Sequence, residues 1–177
     1  MKQEFDIEDT WVSYELHPET PEQGRLMSEF FPNFQREQMS ANLNAAGAPY
    51  GLQFNHSDIM PNTRKALHAS EYAREQGKHH EIHGKLFEAY FRDGKNIGEL
   101  PVLLDIGEEI GLDRDALESA IVTEKYAPIL EQAHRDGQMY GVTGTPTIII
   151  NNKYKLVGAQ PLEVVRGALN KIQNGDI

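Results

Sequence analysis

The chain of 177 residues contains no cysteine at all. That excludes disulfides, thiolate nucleophiles and sulfur-ligated metal sites. No apolar run approaches the roughly 20 residues of a membrane-spanning helix. The start, Met1-Lys2-Gln3-Glu4-Phe5, carries no apolar stretch of the kind that opens a secretory signal. A membrane is therefore not an expected partner, and a cytoplasmic location is expected. Basic clusters are missing too, and a formal net charge of -10 argues against nucleic acid as a partner. What is present is ordinary for a folded domain: 39% hydrophobic and 25% charged residues, enough for a sizeable core.

Read in order, Thr10-Trp11-Val12-Ser13-Tyr14-Glu15-Leu16 is rich in aromatic and β-branched residues and predicts a strand, closed by His17-Pro18. Leu26 to Leu43 has Leu26, Phe30, Phe31, Phe34 and Leu43 at mostly helical spacing, interrupted by Pro32 and ending near Gly47. Pro61-Asn62-Thr63 opens a helix whose inner face is small: Ala66, Ala69, Ser70 and Ala73. Further helices are predicted over 81–91, with Ile82, Leu86, Phe87, Tyr90 and Phe91 inward, and over 97–112, ended by Gly111. Asp113 is suited to cap a helix bearing Leu117, Ile121 and Val122, and 126–139 forms another with Ile129, Leu130 and Ala133 inward. Asn151-Asn152 predicts a tight hairpin turn, and the stripe Leu162, Val165, Leu169, Ile172 a last amphipathic helix.

These elements converge on Tyr140-Gly141-Val142-Thr143-Gly144-Thr145-Pro146-Thr147-Ile148-Ile149-Ile150. A glycine-punctuated loop runs into Thr-Pro, and a β-branched run follows at once. Proline cannot donate to a sheet ladder, so Pro146 belongs at the head of that strand. Thr145 is pushed away from the helical region by the ring that follows it.

The order of elements, with Gly141-Val142-Thr143-Gly144-Thr145-Pro146-Thr147, resembles the DsbA family, and most closely its cytoplasmic, FrnE-like branch. Its relatives include 2-hydroxychromene-2-carboxylate isomerases and kappa glutathione transferases. Glu15-Leu16-His17-Pro18, Leu86-Phe87-Glu88-Ala89-Tyr90-Phe91 and Gly158-Ala159-Gln160-Pro161 support the match along nearly the whole chain. The resemblance implies an α/β, thioredoxin-like fold with a large helical insertion, over about 26–122. The remaining thioredoxin core would be 10–17 and 140–177 of a single, partial domain. It also implies that Pro146 is a cis-proline, and that Gly144, Thr145 and Pro146 bind the substrate, with Thr145 pairing its backbone with an extended peptide.

The sequence departs from the family at the reactive centre. In that family a first strand and a Cys-x-x-Cys helix start precede the strand expected here at Thr10, and only the residues up to Ile7 stand before it. The resemblance thus implies a fold lacking its N-terminal β-strand and active-site helix start. Three origins are open: a longer gene with a mis-set start, an upstream selenocysteine read as a stop, or a natural truncation. In each case the strands at 10–16 and 147–150 would lack a neighbour, so a homodimer through exposed strands is expected.

No catalytic residue is assigned in this chain, because thiol-disulfide exchange needs a thiolate. His79, His80 and His83 lack the His-Glu-x-x-His pattern, so no metal and no cofactor are expected. Glu108-Glu109 and Asp113-Asp115 read as helix-end carboxylates. Ser13, Ser28, Ser40 and Ser57 have no nucleophile context. The functional reading is a DsbA-family thiol-disulfide oxidoreductase, isomerase-like, acting on a peptide or small-molecule disulfide, with this chain catalytically incomplete. The alternatives are a non-catalytic peptide-binding or assembly module and a glutathione-dependent isomerase.

Overall fold

The computed structural model describes residues 1–30, 36–55 and 57–176, without the side chains of Phe30 and Arg36. The chain forms two units. One is the continuous segment His17–Glu131; the other joins Met1–Leu16 to Gln132–Ile177.

The helical unit starts with β1 (Arg25–Leu26), α1 (Met27–Phe30) and α2 (Arg36–Gly47). Leu26 lies in β1 and is half exposed rather than inward on a helix. Phe31, Pro32 and Phe34 lie outside the described residues. β1 pairs antiparallel with β2 (Ile59–Met60), Leu26 opposite Ile59. Next comes α3 (Arg64–Glu75), opened by Asn62, whose Oδ1 accepts from the Arg64 N–H at 2.9 Å. Its small face packs as expected, with Ala66, Ala69, Ser70 and Ala73 all buried.

α4 (His79–Phe87) buries Ile82 and Leu86, then passes into a π-helical turn over Glu88–Arg92. The wider i→i+5 turn rotates the following side chains relative to an α-helix. Phe87, expected inward, is 53% exposed and stacks its ring against His83, centroids 4.4 Å apart. α5 (Leu100–Glu109) brings in Leu103, Leu104 and Ile106 and stops at Gly111, whose φ of 74° suits glycine. Lys78 Nζ donates to the Ile110 and Gly111 carbonyls at 2.6 and 3.0 Å, a cation on the negative end of α5. α6 (Arg114–Val122) is capped by Asp113, which accepts from the Ala116 N–H at 2.8 Å. Leu117 and Ile121 join the core, whereas Val122 is exposed.

α7 (Ala127–Met139) opens in the helical unit and runs on into the other one from Gln132. Leu130 and Ala133 are buried as expected, and Ile129 is half exposed. β3 (Thr147–Ile150) and β4 (Tyr154–Val157) form an antiparallel hairpin, and α8 (Leu162–Asn174) closes the chain. Asn151 and Asn152 take φ of 52° and 55°, the left-handed turn that asparagine tolerates. Along α8, Val165, Leu169 and Ile172 are half-buried, while Leu162 is exposed.

The strand expected over 10–16 does not form: that segment is irregular, with a bend at Leu16 and no ladder partner among the described residues. β-propensity marks a segment that fits a sheet surface, and the sheet must supply a neighbour. Trp11 and Val12 are exposed, Ser13 is buried, and the Tyr14 ring stacks on His134 at 6.2 Å.

Candidate functional site

The loop between α7 and β3 is held from both sides. Gly141 turns the chain out of α7 at φ 61°. Lys155, projecting from β4, donates from Nζ to the Tyr140 and Gly141 carbonyls at 3.0 and 2.8 Å. This joins a cation to the negative end of α7 and ties that end to the hairpin. The Tyr140 hydroxyl donates to Asn152 Oδ1 at 3.1 Å, fastening the same helix end to the hairpin turn. Thr147 Oγ1 donates back to the Gly144 carbonyl at 2.6 Å and closes the loop on itself.

Within that frame the three expected binding residues stand together: Gly144 half-buried, Thr145 and Pro146 exposed. The Thr145–Pro146 peptide bond is cis. None of residues 142–149 has an ionisable side chain. The loop therefore offers main-chain groups, threonine hydroxyls and apolar surface.

The hairpin register defines what the strand offers. Hydrogen-bonded and non-bonded pairs alternate along an antiparallel ladder. The Gly158 N–H donates to the Pro146 carbonyl at 2.8 Å, and Ile148 faces Leu156. Main-chain groups of Pro146, Ile148 and Ile150 thus turn toward β4, and those of Thr147 and Ile149 turn to the opposite edge. Among the described residues no strand pairs with that edge.

The other sequence candidates have structural roles. Arg74 donates to His79 Nε2 at 2.9 Å, and a guanidinium only donates, so the lone pair His79 would offer a metal there is already engaged. Among the described residues no cluster of three or more histidine or acidic groups is arranged to hold a metal. Glu109 pairs with Lys85 at 3.1 Å, Glu108 with Arg114, and Asp113 caps α6. Ser57 Oγ accepts from the Ile59 N–H, a turn contact. An open groove of about 450 Å³ in the helical unit is lined by Lys65, Glu22 and Asn96 among others. Its lysine is paired with Glu22 at 2.7 Å, and no expected site residue lines it. Sequence reasoning passed over Tyr140 and Lys155. Their signal was slight: one polar residue at a helix end and one lysine within an apolar hairpin.

A β-hairpin led by Gly-Thr-Pro and closed by a terminal helix, with a helical block earlier in the chain, defines a thioredoxin-like α/β protein with a helical insertion. The sequence profile of the DSBA-like thioredoxin domain matches residues 1–170, and the chain belongs to that family. The uncharacterized protein YwbO of Bacillus subtilis is 28% identical over 171 residues, 95% of this chain and 84% of that protein. The thiol:disulfide interchange protein DsbA of Pseudomonas syringae is 32% identical over 83 residues, covering 45% of this chain and 37% of its own. Two solved structures share the fold. A probable DsbA oxidoreductase of Streptomyces coelicolor superposes with a TM-score of 0.80 at 24% identity, over 90% of this chain and 73% of its own. A 2-hydroxychromene-2-carboxylate isomerase does so with a TM-score of 0.62 at 20% identity, over 79% and 69%.

Proposed function

We propose that this chain takes an extended peptide by strand addition along β3, as the substrate-facing wall of a DsbA-like disulfide oxidoreductase, and performs no thiol-disulfide exchange by itself. The observation that carries this is the β3 edge. Thr147 and Ile149 present main-chain donors and acceptors beside exposed Thr145 and Pro146, with no strand pairing there among the described residues. An added strand gains affinity from those main-chain bonds and selectivity from the neighbouring side chains. Exchange requires a thiolate attacking a disulfide, and no cysteine is available to supply one. In the proposal the protein is cytoplasmic, and without peptide the same edge pairs with a second copy, giving a homodimer in which peptide and partner compete.

The test is amide NMR of the full chain titrated with an unfolded, thiol-blocked insulin B chain. Thr147 and Ile149 amides are expected to shift and gain exchange protection, and Pro146→Ala to weaken the binding. Insulin reduction is expected to stay at the buffer rate. Shifts confined to other residues, or turnover above the blank, defeat the reading. Light scattering tests the dimer separately: a monomer at every concentration removes it.

A further inference from the structure

Two histidines of the helical unit serve as hydrogen-bond acceptors, a role that neutral imidazole can fill and imidazolium cannot. His68, within α3, is 1% exposed. Its Nδ1 accepts from the Tyr126 N–H at 3.3 Å, at the link between α6 and α7. An amide N–H only donates, so the ring proton of His68 sits on Nε2, which has no hydrogen-bond partner among the described residues. His79, the first residue of α4, accepts at Nε2 from Arg74, and Arg74 also holds buried Glu71 through Nε at 3.0 Å and Nη2 at 3.3 Å. In each ring the accepting nitrogen is the one a second proton would have to occupy.

The charged surroundings are specific. His68 is near Arg64 and Glu124, themselves paired at 3.0 Å. Across the Tyr126 ring lie Lys125 and Glu75, paired at 2.8 Å, with the Tyr126 hydroxyl donating to Glu75. His79 faces Arg74 and Glu71 from α3 and His80 and His83 from α4, while the neighbouring Lys78 is engaged at the end of α5. Burial, then the Arg64 charge, holds His68 below the ordinary imidazole range against the pull of Glu124. Burial, then Arg74, does the same to His79 against Glu71.

We propose that this pair is an acid-sensitive latch: protonation of His68 at Nδ1 and of His79 at Nε2 removes both acceptors and loosens the α3–α4 corner and the α6–α7 link. Protons come from solvent, and no covalent bond changes. Histidines of the unfolded chain titrate near about 6.5, and the folded rings titrate lower. Between those values the unfolded state binds more protons, so stability falls as pH drops below about 6.5. It levels off once the folded rings are protonated too. Each such proton multiplies the unfolding constant by about ten per pH unit, so the pair contributes up to about a hundredfold.

The variants His68→Asn and His79→Gln place a non-titrating amide oxygen where Nδ1 and Nε2 accept. Urea unfolding of the full chain at fixed salt, from pH 8 to about pH 5, is expected to be steeply pH-dependent in the wild type. In the double variant it is expected to be flatter by up to two protons. His83, also held low by burial and then His80, is present in both, and the single variant His68→Asn, which leaves the His79–His83 pair intact, isolates the His68 share. Equal slopes overturn the latch. If His68→Asn does not fold, nitrogen NMR of the wild type decides. Neutral rings with His68 protonated on Nε2 near pH 6.5 support it; a charged His68, or a proton on Nδ1, overturns it.

Discussion

The ring of Tyr14 lies so close over Gly137 that a Cβ added to the glycine would run into Tyr14 Cε2 and stand 2.9 Å from Cζ. The same ring stacks on His134 at 6.2 Å, one turn earlier on α7, with the planes 11° apart. A glycine inside a helix costs about 1 kcal/mol relative to alanine. Here it makes a seat for the Tyr14 ring, which the 10–16 segment turns against the helix.

Gly137→Ala sets two effects against each other. Helix propensity favours alanine by about 1 kcal/mol, while forcing a methyl into an occupied space costs about 1 to 3 kcal/mol. The clash is with the ring's own atoms, so a net loss of up to about 2 kcal/mol is expected in the wild type. With Tyr14→Ala the sign reverses, and Gly137→Ala stabilises by about 1 kcal/mol. A double-mutant cycle by urea unfolding reads both. A stabilising Gly137→Ala with Tyr14 present would show that the ring does not occupy that seat.

Contrasts of this kind separate what was legible in the sequence from what was not. Helix boundaries set by local chemistry were readable: Asp113 caps α6, Gly111 ends α5, and the alanine face of α3 is buried. The hairpin and its Gly-Thr-Pro lead were readable for the same reason, since turn residues act on their own neighbours. The 10–16 segment misled because strand composition carries no information about whether a partner strand is present. Phe87, the last residue of α4 and one position past buried Leu86, turns outward to stack on His83, a contact that an apolar side chain's presence alone does not encode. His68 was passed over because a buried polar residue is recognised by its partner, and Tyr126 lies far along the chain.

The hairpin turn gives a second, local prediction. Asn151 sits at φ 52°, where a β-branched side chain is strained. Asn151→Val is expected to destabilise by about 1 to 2 kcal/mol, and Asn151→Gly to change stability by less than about 0.5 kcal/mol. Thermal unfolding of the two variants side by side checks it. Equal effects would mean that the turn's handedness does not matter to the fold.

Acid should act a second time, below the histidine range. Hydrogen bonds from Arg64 to Glu124, Arg166 to Glu4, Arg92 to Asp93 and Lys125 to Glu75 hold these carboxyls below their usual values. A carboxyl with a lowered folded pKa contributes stability above its unfolded pKa and loses it as pH falls through the folded one. A further decline is therefore expected below about pH 4.3. These pairs are largely exposed, so high salt should shrink that decline. The higher-pH fall rests on His68 and His79, each lowered first by burial, and should resist salt better. Urea unfolding at low and high salt across both ranges separates them, and equal salt sensitivity would contradict the assignment.

Two glycines of the candidate binding loop should respond oppositely to the same change. Gly141 has φ 61°, and its Cβ would meet Lys155 Nζ at 3.4 Å, so Gly141→Ala is expected to cost about 1 kcal/mol of stability. Gly144 has no positive φ and nothing within 4 Å of an added Cβ, so the fold does not require glycine there. Gly144→Ala should leave stability within about 0.5 kcal/mol of wild type. If an extended peptide lies against the loop's backbone, the new methyl should weaken its binding by about tenfold, since glycine also marks places where a second backbone approaches closely. Thr143→Ala serves as the control and should bind as wild type does. Paired unfolding and peptide titrations distinguish the outcomes. Undiminished binding by Gly144→Ala would restrict the contact surface to Thr145 and the β3 edge, because an uncrowded methyl is neutral only where no ligand backbone comes near.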